Sequence, residues 1–191
     1  RTMAQTSPEF LTGEDAKPVG KQWELVPLLS DEFDSTALDT FVKWRNTDDA
    51  RWKGRVPGRF KRNTVSMANG NMRITNYQLS SPEYVTKNNG EIDTFTHACG
   101  HVISRNKGQV GYYFESSFKA NKTFMSSTFW LINYKNEETG CDQRVTELDI
   151  QECVGIINST AGWTQEFDES MHSNTHSRNV SCGDSVGSVG D

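Results

Sequence analysis

The sequence predicts an all-β domain, a sandwich or barrel of many short strands, on three observations. Helical periodicity is nearly absent along the chain. Short β-branched and aromatic runs recur at intervals of roughly 8–12 residues, the spacing at which sandwich strands alternate with turns. Clusters of Gly, Asn, Asp and Ser separate those runs.

Taken in order, residues 1–10 lack the apolar core of a secretory signal and read as a cloning remnant, and 1–20 as a disordered leader, leaving one domain over 21–191. Asn63–Met67 and Asn71–Tyr77 flank Ala68-Asn69-Gly70, a hairpin signal because Asn and Gly both tolerate positive φ. His101–Arg105, Gln109–Lys119, Ser126–Tyr134, Arg144–Cys153 and Ser170–Ser177 read as further strands, and Asn88–Gly90 and Asn106–Gly108 as turns. The Gly- and Ser-rich stretch 181–191 reads as a loop.

Composition narrows the function classes. Twenty basic against 25 acidic residues leave a net charge of −5, which argues against general nucleic-acid binding. No run approaches the roughly 18 apolar residues of a membrane helix. Five Trp, five Tyr and ten Phe are more aromatics than a disordered polar chain carries, so a packed core is expected. Cys99, Cys141, Cys153 and Cys182 form no CxxC pattern, which argues against zinc. Fully oxidised, they allow three pairings; one bridge between Cys141 and Cys182 and four free buried thiols are both open readings.

Glu147-Leu148-Asp149-Ile150-Gln151-Glu152 places three carboxylates within six residues of a strand-like run. Strict alternation puts Glu147, Asp149 and Gln151 on one face, with Leu148 and Ile150 toward the core and Glu152 turned away. One extra residue in a β-bulge would return Glu152 to the face of Glu147 and Asp149. Carboxylates so crowded raise the pKa of at least one of them, as glycoside hydrolysis requires, where one acid is ionised and another holds a proton. An exposed acidic strand face and a calcium site are the competing readings. Glu91-Ile92-Asp93 lacks a third acid and reads as surface.

The segment Thr146–Glu152 resembles the E-x-D-x-x-E motif of glycoside hydrolase family 16, in the bulged form of its β-agarases, β-porphyranases and κ-carrageenases. Other stretches are similar in the same order: Asp31-Glu32-Phe33 with Leu38-Asp39 and Trp44, Val65–Met72, His101–Ser104, Gly111–Glu115, Ser127–Leu131, and the M-x-x-N-x-H of Met171–His176. The resemblance runs from Trp23 to His176. It implies a two-sheet antiparallel β-jelly-roll sandwich with a concave substrate cleft and a retaining endo-hydrolase. Glu147 would be the nucleophile, Glu152 the general acid/base, and Asp149 the residue that tunes both. It also implies further strands beyond the M-x-x-N-x-H strand, so the chain reads as truncated at its C-terminus, with a second polypeptide as one way to complete the sandwich and a monomer otherwise.

Candidate substrate-binding residues follow from residue type and resemblance. Trp52, in the polar loop Arg51–Gly58, resembles the W-x-G-R-x-P segment whose aromatic and Arg line the groove, which also selects Arg55. Trp130, Tyr134 and Trp163 are further sugar platforms, with core packing as the alternative. His176 lies beside the substrate by resemblance, and Arg144 would hydrogen-bond sugar or neutralise the acids. Arg51, Lys53, Arg55, Arg59, Lys61 and Arg62 form a cationic stretch able to meet sulfate esters or simply to face solvent. The partner expected is a red-algal galactan cleaved at β-1,4 linkages, agarose ahead of porphyran or carrageenan. No cofactor is required for catalysis, a structural calcium is implied by resemblance without named ligands, and a polymeric substrate implies a secreted or cell-surface bacterial protein. A non-catalytic carbohydrate-binding jelly roll is the rival of another class.

Overall fold

The computed structural model describes residues 6–46, 52–133, 139–157, 160, 164, 166–179 and 182, and the backbone of 185–190. Arg51, Tyr134 and Trp163 lie outside the described residues. The chain divides into two compact units, Arg1–Glu115 and Ser116–Asp191. Both are built of strands, with short 3-10 turns such as Arg62–Thr64 and Gly140–Asp142, in agreement with the expected all-β class.

The first unit carries β1 (Trp44–Asn46), β2 (Gly58–Phe60), β3 (Val65–Met67), β4 (Met72–Ile74), β5 (Tyr77–Thr86), β6 (Ile92–Cys99) and β7 (Val102–Ser104). β1 pairs with β7, β3 with β4, and β6 lies between β5 and a short parallel β2. The hairpin read from Asn-Gly is present: Asn69 and Gly70 have φ of 54° and 69°, and Ala68 and Asn71 exchange both backbone hydrogen bonds at 3.0 and 3.1 Å. Positive φ at both central residues gives the turn the twist its strands need. The turn at Asn88–Gly90 is likewise present, with Gly90 N–H donating to Lys87 O at 3.0 Å. Lys87 reaches Asp93 at 3.0 Å and Glu91 at 3.3 Å, so the Glu91–Asp93 acids are a surface ion-pair cluster, as expected.

Phe95 and Ala98 of β6 form the buried apolar centre of this unit, at 1% and 0% exposure. The DEF motif has a physical role here: Asp31 Oδ2 accepts from Trp44 Nε1 at 2.8 Å and Asp31 Oδ1 from Phe33 N at 2.9 Å, which seats the Phe33 ring against Trp44. The stretch read as a leader makes contacts of its own. Phe10 packs on Trp23 and Tyr113, with centroids 5.8 and 4.9 Å away, and Glu9 N–H donates to Glu115 at 3.0 Å. Those contacts also explain why Gln109–Lys119 forms no strand. Tyr113 spends its apolar surface on Phe10 and Trp23 outside any ladder.

The second unit is one antiparallel sheet in the order β11-β10-β9-β8, from β8 (Ser126–Ile132), β9 (Arg144–Val154), β10 (His172–Asn179) and β11 (Ser185–Gly190). β11 corrects the loop expected over 181–191: Ser185 to Gly190 pairs along β10 from Arg178 to Asn174. A disulfide joins Cys141 to Cys182 with Cα atoms 5.3 Å apart, while Cys99 and Cys153 are free. Leu148 is 37% exposed, so it is not the core residue that alternation suggested.

Candidate active site on strand β9

The strand register settles which face each acid occupies. On β9, Glu147 is flanked by Ile132 and His176, Asp149 by Trp130 and Asn174, and Glu152 by Thr128 and His172. Thr128, Trp130 and Ile132 alternate along β8, and His172, Asn174 and His176 along β10. Residues opposite one another in a sheet share a face. Glu147, Asp149 and Glu152 therefore share one, although Asp149 and Glu152 are an odd three positions apart. Both neighbouring strands shift register here, between Phe129 and Trp130 and between His172 and Asn174, which leaves Ile150 as the extra residue of a bulge. Gln151 is turned to the opposite face, where its Nε2 reaches Cys153 Sγ at 3.0 Å.

Asp149 is the buried acid, 4% exposed. Burial pushes its carboxyl above the usual carboxylate range, the charge of Glu147 adds to that, and His176 and Arg178 oppose it. His176 Nε2 lies 3.3 Å from Asp149 Oδ2, and Arg178 Nη2 donates to Glu147 Oε2 at 2.6 Å. Ser173 Oγ donates to the Asp149 carbonyl at 2.9 Å, tying β10 to the bulge. One oxygen each of Glu147 and Asp149 and one nitrogen of His176 lie within 4.8 Å of one another. That spacing would suit a cation geometrically, but the guanidinium already on Glu147 opposes a second positive charge. The arrangement fits proton and charge management between carboxylates.

An Asp with a raised folded-state pKa contributes stability that is fully present below its unfolded value, about 3.9, and lost as pH rises through the folded value. Asp149→Asn is therefore expected to raise thermal stability relative to the parent at neutral pH. The gain should shrink as pH falls toward about 4. Melting curves of both proteins across that range check it; a gain that grows on acidification would contradict the assigned direction.

The family described as "Beta-porphyranase A-D, GH16 domain" matches residues 23–189. The chain belongs to that family. It is 49% identical to Beta-porphyranase B of Zobellia galactanivorans over 179 residues, covering 94% of this chain and 58% of the relative. Beta-porphyranase C of the same organism is 34% identical over 197 residues, covering 92% of this chain and 54% of that one. The chain thus spans little more than half the length of these curated relatives. Among solved structures, the crystal structure of porphyranase B from Zobellia galactanivorans superposes with a TM-score of 0.84 at 46% identity, covering 97% of this chain and 67% of that one. A β-porphyranase from the human gut bacterium Bacteroides plebeius gives 0.70 at 30% identity, covering 95% and 61%. The fold is accordingly the family's β-jelly roll.

The predicted binding residues fare differently. Trp130 and His176 lie on the acids' face beside Asp149 and Glu147. Arg144 does not: it is three residues from Glu147 with no register shift between them, so alternation turns it to the opposite face, paired with Asn179. Arg144 thus lies on the face opposite Glu147, and Arg178 of β10 is the arginine that reaches that acid. Its signal in the sequence was an alternation, Asn174, His176, Arg178, extending the M-x-x-N-x-H pattern by two residues.

In the first unit, Trp52 is 46% exposed and packs edge-on against Phe60 at 5.0 Å and near His101 at 5.9 Å. Arg55 is exposed. Arg59 is occupied: its Nε lies 2.8 Å from Glu83 and its guanidinium over the Phe95 ring. Lys61 also reaches Glu83, at 2.5 Å, so one carboxylate draws two cations of the basic stretch into the fold.

Proposed function

We propose that this chain is the catalytic portion of an endo-acting, retaining glycoside hydrolase that cleaves β-1,4 linkages in porphyran, a sulfated red-algal galactan. The observation that carries the catalytic reading is the bulge at Ile150, which gathers Glu147, Asp149 and Glu152 on one strand face. The family and the relatives above support porphyran over the agarose expected from loop wording alone, since those proteins are named as β-porphyranases.

In the first step a Glu147 carboxylate oxygen attacks the anomeric carbon while Glu152 gives its proton to the departing glycosidic oxygen. A covalent glycosyl-enzyme ester results. In the second step Glu152, now ionised, takes a proton from water; the water oxygen bonds to the anomeric carbon, and Glu147 leaves as a carboxylate. Asp149 lies between them, and His176 fixes the orientation of its carboxyl. No cofactor enters the reaction so written. The Cys141–Cys182 bridge supports an oxidising compartment, and with it an extracellular or cell-surface location.

Incubation with native porphyran and with agarose tests the reading. Reducing ends should appear from porphyran, with the anomeric configuration retained in the first-formed product by proton NMR. Release from agarose alone would overturn the substrate. Release from neither, with oligosaccharide binding intact, would favour a carbohydrate-binding module.

A further inference from the structure

Resting on that hydrolase reading, we infer that Arg178 is a positioning residue for the nucleophile, holding one oxygen of Glu147 so that the other is presented to the anomeric carbon. Arg178 sits opposite Val145 on β10, one ladder step diagonally from Glu147 and on the same face. Its Nη2 lies 2.6 Å from Glu147 Oε2, a charge-assisted contact on a single oxygen. A carboxylate free to turn about its terminal bond offers either oxygen in many orientations; a guanidinium on one of them removes that freedom. The division of labour along β10 supports the assignment. His176 serves Asp149 and Arg178 serves Glu147, two residues apart on one strand face.

A role as a mere stitch between strands explains less. β9 and β10 already pair at seven positions from His172 to Asn179, and a disulfide closes the segment beyond them. The Arg178 side chain is 46% exposed, and ion pairs that open to solvent add at most about 1 kcal/mol to stability. Holding a reacting group in line is worth far more, since misplacement by about 1 Å can cost roughly 100-fold in rate.

The test uses the whole chain and porphyran oligosaccharides of defined length. Arg178→Met is expected to lower kcat by roughly 10- to 100-fold with KM within about threefold of the parent, and Arg178→Lys to recover part of the loss. Melting temperatures should stay within about 3 °C of the parent. Millimolar guanidinium ion should restore turnover to Arg178→Ala but not to Glu147→Ser. Parent-like kcat in Arg178→Met would overturn the inference, as would a raised KM at unchanged kcat, which would make Arg178 a substrate contact. A large fall in melting temperature accompanying the kcat loss, with no rescue by Lys or guanidinium, would overturn it in favour of a structural stitch. Parent protein inactive on every galactan would instead remove the hydrolase reading itself, so the two failures are distinguishable.

Discussion

Glu147→Ser and Glu152→Ser should each reduce hydrolysis of porphyran by roughly 1,000-fold or more, the scale on which loss of a nucleophile or general acid falls. The two losses differ in kind. Without Glu147 no glycosyl-enzyme can form, so substrates with activated leaving groups gain nothing. Without Glu152 the leaving oxygen departs unprotonated, so an aryl galactan with a good leaving group should recover much of the first step. Neither change should unfold the domain. Both side chains lie on a strand face with partial exposure, and the β9 ladder on either side is made by backbone groups. Steady-state kinetics on polymer and aryl substrates, with melting curves as controls, decide the matter. Ordinary turnover of porphyran by Glu152→Ser would refute the assignment of the acids.

Loss of the Cys141–Cys182 disulfide should be the largest single effect on stability. Cys141 lies in the 3-10 turn Gly140–Asp142 that leads into β9, and Cys182 follows the end of β10. The bridge closes 41 residues of chain. In the chain-entropy account such a loop corresponds to about 4 kcal/mol, or a fall of about 10 °C in melting temperature for a chain of this size. The backbone beside it is independently fixed, since Cys182 N–H donates to Asn179 Oδ1 at 2.8 Å. Register at the acids should therefore survive reduction at moderate temperature, with kcat little changed. Thermal unfolding of the parent with and without reductant, and of a Cys141→Ala/Cys182→Ala protein, measures it. Coincident melts would contradict the prediction.

Much of the site was legible along the chain because its information is local. The alternation Glu147, Asp149 and the offset Glu152 required a bulge if all three acids were to act together, and both neighbouring strands carry the matching register shift. The Asn69-Gly70 turn was legible for the same reason: two consecutive residues that accept positive φ announce their own geometry. Arg59 shows the opposite case. In sequence it belonged to a cationic stretch, yet Glu83, far along the chain on β5, claims it together with Lys61. The segment 109–119 had strand-like residues, and the contacts of Tyr113 with Phe10 and Trp23 took them out of any ladder.

By itself the sequence determined the all-β class, the turns at Asn69-Gly70 and Asn88–Gly90 but not the one read at Asn106–Gly108, the cluster of three acids and the need for a bulge between two of them. Tertiary structure decided their company. Arg144 is near Glu147 in sequence and faces away from it, while Arg178, 31 residues distant, donates to it across the β9–β10 pair. It also decided that the Gly- and Ser-rich stretch 185–190 is a strand, because the edge of β10 supplies hydrogen-bond partners that its own residues do not advertise. Alternation and turn chemistry act between residues a few positions apart, whereas cross-strand partnership depends on which strands meet and in what register.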